Sequence, residues 1–173
     1  MKRIIIIGII FLSIGLAVGY YFGYDIGWER MAENGEESES QERTVSLYYY
    51  NPDLDMDEAG NLLCSQKGLV AVERTIPVTE TPIEDTLLLL LEGELTETER
   101  SAGVTTEYPL AGFELLSSFS QNGNLTLTFN DPQNQTSGGS CRAGILWSQI
   151  EATVMQFAEV ESVRFLPEEL FQP

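Results

Sequence analysis

Phe113-Glu114-Leu115-Leu116-Ser117-Ser118-Phe119-Ser120-Gln121, then Asn122-Gly123, then Asn124-Leu125-Thr126-Leu127-Thr128-Phe129-Asn130: this stretch decides the fold. Asn-Gly between two strand-like runs is the strongest short hairpin signal, because both residues accept the positive φ that a tight turn demands. Leu125, Leu127 and Phe129 recur every second residue, so one face of the second strand meets a core. Beyond it the period changes. Leu146, Ile150, Val154 and Phe157 recur at three or four, which predicts an amphipathic helix from about Cys141 to Phe157. Val163-Arg164-Phe165-Leu166, closed by Pro167, reads as a last strand.

Working back from the hairpin, Val45-Ser46-Leu47-Tyr48-Tyr49-Tyr50 is β-rich and stops at Asn51-Pro52. Leu69 to Ile76 predicts a second strand, closed by Pro77. Thr81-Pro82, followed by Glu84 and Asp85, is a helix start: a capping threonine, proline at the first helical position, and acids at the positive end of the dipole. Leu87 to Leu91 is apolar all round, so this helix is expected to be largely buried, with Gly93 as its stop. Thr96-Glu97-Thr98-Glu99 predicts a short capped turn, and Pro109 to Gly112 a bend. The expected class is α+β, a small sheet packed against two main helices and preceded by one transmembrane helix.

That last element rests on Ile4 to Phe22, an uncharged apolar run behind Lys2 and Arg3. At 1.5 Å per residue, about 19 helical residues reach roughly 28 Å, close to the hydrocarbon thickness of a bilayer. A cleaved signal peptide shares the positive start, and Ala17-Val18-Gly19 offers a small-residue site for it. The run continues past that site into Tyr20, Tyr21 and Phe22, longer than a cleaved apolar core needs, and this favours an anchor over residues 4–24. Positive charge ahead of the run leaves residues 1–3 in the cytoplasm and the rest outside. Residues 25–43 read as an acidic linker, because Glu33 to Arg43 holds no large apolar residue. Residues 44–173 are then one extracytoplasmic domain.

The charge balance excludes some partners. The chain carries 27 Asp and Glu against 9 Lys and Arg, a net charge of −18. In the domain, Lys67, Arg74, Arg100, Arg142 and Arg164 are scattered among twenty acids, so no basic surface is available to phosphate backbones and no nucleic acid is expected. The chain contains no histidine, which removes Ser-His-Asp and Cys-His catalysis and histidine-based zinc sites. No catalytic residues are assigned and the chain is not expected to be an enzyme; a cell-wall-acting enzyme using paired carboxylates is the alternative, with no pair among the many acids singled out.

Two features bear on chemistry. Cys64 and Cys141 are the two cysteines, and three readings stand: a disulfide, inert thiols, or a reactive thiol at Cys141 activated by a helix start and Arg142. Asp53, Asp55 and Asp57 are spaced two apart, as oxygen ligands of Ca²⁺ often are. An EF-hand register from Asp53 fails at the sixth position, Glu58, and at the twelfth, Cys64. A solvated acidic loop is the leading reading, with a calcium site on those three residues as the alternative; no other cofactor is expected.

Taken in order, the pieces resemble the GerMN (sporulation and spore germination) domain. The resemblance rests on Val45 to Tyr49, on Leu69 to Arg74, and on the Leu-rich helix Ile83 to Gly93 ending in Leu90-Leu91-Glu92-Gly93. It continues through Tyr108-Pro109, the strands about Asn122-Gly123, Gln149-Ile150-Glu151-Ala152-Thr153, and Val160 to Phe165. It implies an extracytoplasmic α+β module, held at the membrane, that binds protein partners of the cell envelope or cell-wall material. The chain departs from the familiar pattern in its insertion from Asn51 to Gly68, in its cysteine pair, and in having no lipobox cysteine near the N-terminus.

Overall fold

The computed structural model describes residues 41–172. The expected cytoplasmic residues 1–3, the anchor 4–24 and the linker up to residue 40 lie outside the described residues. Strand β1 (Glu42–Tyr50) begins two residues before the expected boundary at Thr44. Its branched and aromatic residues alternate, burying Val45, Leu47 and Tyr49. It pairs antiparallel with β2 (Leu69–Pro77), Val45 opposite Arg74 and Leu47 opposite Val72.

Helix α1 (Pro82–Glu92) follows, with Glu84 and Asp85 in its first turn. Thr81 occupies the cap position, but its side chain makes no capping bond. The Thr79 hydroxyl takes part instead, donating to the Asp85 carboxylate and accepting the Thr81 N–H at 3.3 Å. The leucine run is not buried all round. Leu87 and Leu90 are fully buried, whereas Leu88 is 44% exposed, because α1 packs against β1 and one long helix on one side only. The helix stops at Gly93, φ +67°, where an added Cβ would fall 1.9 Å from the Tyr108 carbonyl oxygen. Only glycine tolerates both the left-handed backbone and that approach.

Short helix α2 (Glu97–Ser101) carries the expected capping box: Thr96 accepts from the Glu99 N–H, and the Glu99 carboxylate accepts from the Thr96 N–H. Next come β3 (Glu114–Gln121) and β4 (Asn124–Asn130), joined by Asn122 at φ +51° and Gly123 at φ +80°. Helix α3 (Ser140–Val154) then crosses over to β5 (Ser162–Leu166), which lies parallel to β4. Leu146, Ile150, Val154 and Phe157 are all buried, as their spacing predicts.

The expected single sheet is two among the described residues: β1-β2, and β3-β4-β5 in that order. The reason lies at the outer edge of β1. The Gln156 side chain accepts from the Ser46 N–H at 2.8 Å and donates to the Ser46 carbonyl at 2.7 Å, in the manner of a neighbouring strand. Thr153 accepts from the Tyr48 N–H at 3.0 Å, and Thr105 exchanges backbone bonds with Tyr50. That edge is therefore occupied from Ser46 to Tyr50, which bars another strand from joining it there. The core behind it is aromatic at the far sheet, where Phe113 stacks on Phe129 at 4.7 Å and Trp147 leans on Phe165 at 4.4 Å.

Candidate functional site

The insertion between β1 and β2 is held by its own acids. Asp55 is 1% exposed, and its carboxylate accepts from the Tyr50 hydroxyl and from the Ser65 N–H and hydroxyl. Burial opposes its ionisation, but the bonds from Ser65 and Tyr50 outweigh that and hold it below the usual carboxylate range. The same contact pushes the Tyr50 hydroxyl up, burial contributing most. Asp57 accepts from the Asn61 side-chain amide at 2.9 Å and from the Asn61 and Ala59 N–H groups, and these lower its pKa. Asp53 is exposed.

The expected solvated loop thus holds for Asp53 but not for Asp55, which is buried, and the alternative, three carboxylates converging on calcium, finds them differing in direction and duty. Among the described residues no group of three His, Cys, Asp or Glu side chains is placed to hold a metal ion. The two-residue spacing would align them on an extended strand, but the chain here turns through a 3-10 segment at Pro52–Leu54 and a tight turn at Asp57.

Cys64 and Cys141 form a disulfide, with Cα atoms 5.2 Å apart, that ties the insertion to the first turn of α3. The inert and reactive thiol readings fall with it. Arg142, which the reactive-thiol reading set beside a thiolate, donates to Glu107 at 2.6 Å and to the carbonyls of Gln135 and Ser137.

On another face, a groove of about 610 Å³ runs between α1 and the start of β3. Its walls are Leu88, Leu91, Pro109 and Leu115, and its rim carries Glu92, Glu94 and Glu114. Glu84 on α1 accepts from the Ser118 hydroxyl of β3 at 3.0 Å and spans the two elements. The ion pairs among the described residues are Arg74–Glu99, Arg142–Glu107 and Arg164–Glu168; none includes a rim carboxylate, though Arg74 lies near enough to Glu94 for their charges to interact. Beside the groove, β3 is an edge strand among the described residues and bears Leu116 and Phe119, each 61% exposed. Sequence reading missed this site because it took Leu88 for core. The available signal was Leu91-Glu92-Gly93-Glu94, where an apolar run gives way to two acids across a helix stop.

The best-defined electrostatic contact among the described residues joins β2 to α2. Arg74 donates to both oxygens of Glu99, at 2.8 and 2.9 Å, and to the Glu94 backbone carbonyl at 3.0 Å. The guanidinium, with the Thr96 N–H, holds Glu99 at a pKa of about 2.

Comparison with known proteins adds three findings. The family model described as "Germane: Sporulation and spore germination" matches residues 46–169. Among solved structures, the tandem GerMN domains of the sporulation protein GerM from Bacillus subtilis are similar at 18% identity, with a TM-score of 0.45, over 79% of this chain and 43% of that one. The present chain therefore spans less than half the length of that relative. No curated protein matches.

Proposed function

The chain belongs to the Germane family, the sporulation and spore germination (GerMN) domains, and from that premise we propose that it is a non-catalytic, membrane-anchored interaction module working outside the cytoplasm of a bacterial cell. The observation that carries the binding role is the groove between α1 and β3. Its apolar walls and three carboxylates outside any ion pair suit an extended segment of an envelope protein that presents an apolar anchor beside basic residues. The disulfide supports an oxidising compartment outside the cytoplasm. The apolar run Ile4 to Phe22, behind Lys2 and Arg3, supports the anchor and its orientation.

The test places a photoactivatable residue at Leu88 of the full-length chain in its own membrane, with a second copy of the experiment at exposed Glu159, which does not line the groove. Irradiation is expected to join the Leu88 position to a discrete protein, and Glu92→Gln with Glu94→Gln to reduce that product several-fold. Adducts with cell-wall glycan, or a protein adduct indifferent to the two charge changes, would overturn this assignment. Turnover of cell-wall material by the purified chain would replace the binding role with an enzymatic one.

A further inference from the structure

Strand β3 (Glu114–Gln121) is paired with β4 on one side only. A strand so placed aims alternate backbone N–H and C=O groups away from its partner. Among the described residues no other hydrogen bond reaches the β3 backbone, and the bond to Glu84 uses the Ser118 hydroxyl, which leaves the edge open. Ser118 and Ser120 stand opposite buried Leu127 and Leu125 and face the side on which α1 lies. Ser117, Phe119 and Gln121 face the other way and are exposed.

The remaining edges are guarded. That of β1 is closed by Gln156, Thr153 and Thr105. The Glu73 carbonyl of β2 accepts from the Arg74 guanidinium at 2.9 Å, and β2 ends in Pro77. Strand β5 has five residues and runs into Pro167. By contrast, residues 115–130 include no proline and no charged side chain, in a sequence with 27 Asp and Glu and 9 Lys and Arg. A bulge between Leu115 and Ser117 is the one irregularity, and residues 117–121 pair regularly beyond it. An edge left this plain is a template for another strand. Its upstream residues Glu114 and Leu115 line the groove together with Glu92 and Glu94, so the edge and the acidic rim are continuous.

We propose that an extended segment of a partner protein adds to β3 as a fourth strand, with an apolar or β-branched side chain beside Phe119 and a Lys or Arg beside Glu114. The inference rests on the groove reading for its basic end and adds to it the backbone ladder that holds the segment. Other occupants fit the charges less well. Residues 33–40 of this chain carry four glutamates, which the rim repels, and a second copy of β3 offers no basic residue.

The test uses the full-length chain in its own membrane, with a photoactivatable residue replacing Ser117, Phe119 or Gln121 in turn, and mass spectrometry to locate each adduct. Two residues of strand cover about 7 Å. A paired strand therefore gives adducts on one partner segment that move by two residues per step, in either direction, whereas a helix at 1.5 Å per residue moves by about four or five. Phe119→Lys should lower the Ser117 and Gln121 adducts several-fold while melting stays nearly unchanged, since the ring is 61% exposed. Helical steps, or adducts scattered over unrelated surfaces, would overturn the proposal. Adducts to residues 117–121 of a second copy would replace the partner by self-pairing. A product from Leu88 with none from the three β3 positions would remove the added strand and leave the groove standing, whereas two-residue steps without a Leu88 product would support the strand and remove the groove. No product from any of the four positions would overturn both.

Discussion

Replacing Glu99 with alanine removes two things at once, the bidentate pair with Arg74 and half of the capping box of α2. Charge-assisted bonds of this kind are worth about 1.5–3 kcal/mol when sheltered, and a lost cap about 1 kcal/mol. The pair is partly sheltered, with side chains 25% and 19% exposed. A pKa lowered from 4.5 to about 2 corresponds to roughly 3 kcal/mol at most, and solvent screening at that exposure brings it toward 2. The two routes agree on about 2–3 kcal/mol for Glu99→Ala. In a domain of this size that lowers Tm by about 8–12 °C. Because the folded-state pKa lies below the unfolded one, the charge contribution is full above pH 4.5 and fades as pH falls toward 2. Urea unfolding of the compact unit Gln41–Pro173, followed by circular dichroism at pH 7 and pH 3, measures both effects. Glu97→Ala, exposed in the same helical turn, is the control and should stay within about 0.5 kcal/mol. The reasoning is refuted if Glu99→Ala behaves like Glu97→Ala, or if its deficit is undiminished at pH 3.

Replacing both Cys64 and Cys141 with serine opens a covalent loop spanning a separation of 77 residues, and should cost about 4 kcal/mol at the upper end, read as a lower urea midpoint. Gly93→Ala should fail to fold at ordinary temperatures, or lose several degrees of Tm, since its Cβ meets backbone at Tyr108; Gly60→Ala, also at positive φ but with open space, should lose about 1 kcal/mol by thermal melting. Tyr50→Phe should raise the Asp55 pKa toward the ordinary carboxylate value, followed by carboxyl NMR, and should speed proteolysis within 51–68. Unchanged titration of Asp55 would show that Ser65 alone holds the charge.

What the sequence discloses here follows the range of the forces involved. Asn122-Gly123 announces a hairpin because the turn needs two adjacent residues that accept positive φ, and both lie at the turn itself. The period of α3 is equally local, as is the Thr96–Glu99 box. Which strands share a sheet is not local. The edge of β1 is closed by Gln156 and Thr153, more than a hundred residues along the chain, and nothing in Ser46 or Tyr48 foretells that side-chain amides and hydroxyls replace a strand. The same distance hid the acidic insertion's purpose. Asp53, Asp55 and Asp57 look alike in sequence, yet Asp55 becomes the buried pin because Tyr50 and Ser65 reach it from both ends of the loop.

Leu88 failed for a related reason. A wholly apolar helical run implies burial on every side only if packing partners exist on every side. Here β1 and α3 take one side, while β3 stands off across a gap bridged at Glu84 and Ser118. A lone exposed leucine would mean little. In a concave wall with Leu91 and Leu115, beside three carboxylates outside any ion pair, it marks surface that gains free energy by being covered. Burying Leu88 alone on binding would contribute on the order of 1 kcal/mol, so affinity must come from several such contacts with the rim charges. Hence Leu88→Asp should weaken capture while leaving Tm nearly unchanged, whereas the neighbouring buried Leu87→Ala should cost about 2–5 kcal/mol of stability. Loss of capture accompanied by equal loss of stability at both positions would mean that Leu88 belongs to the core after all.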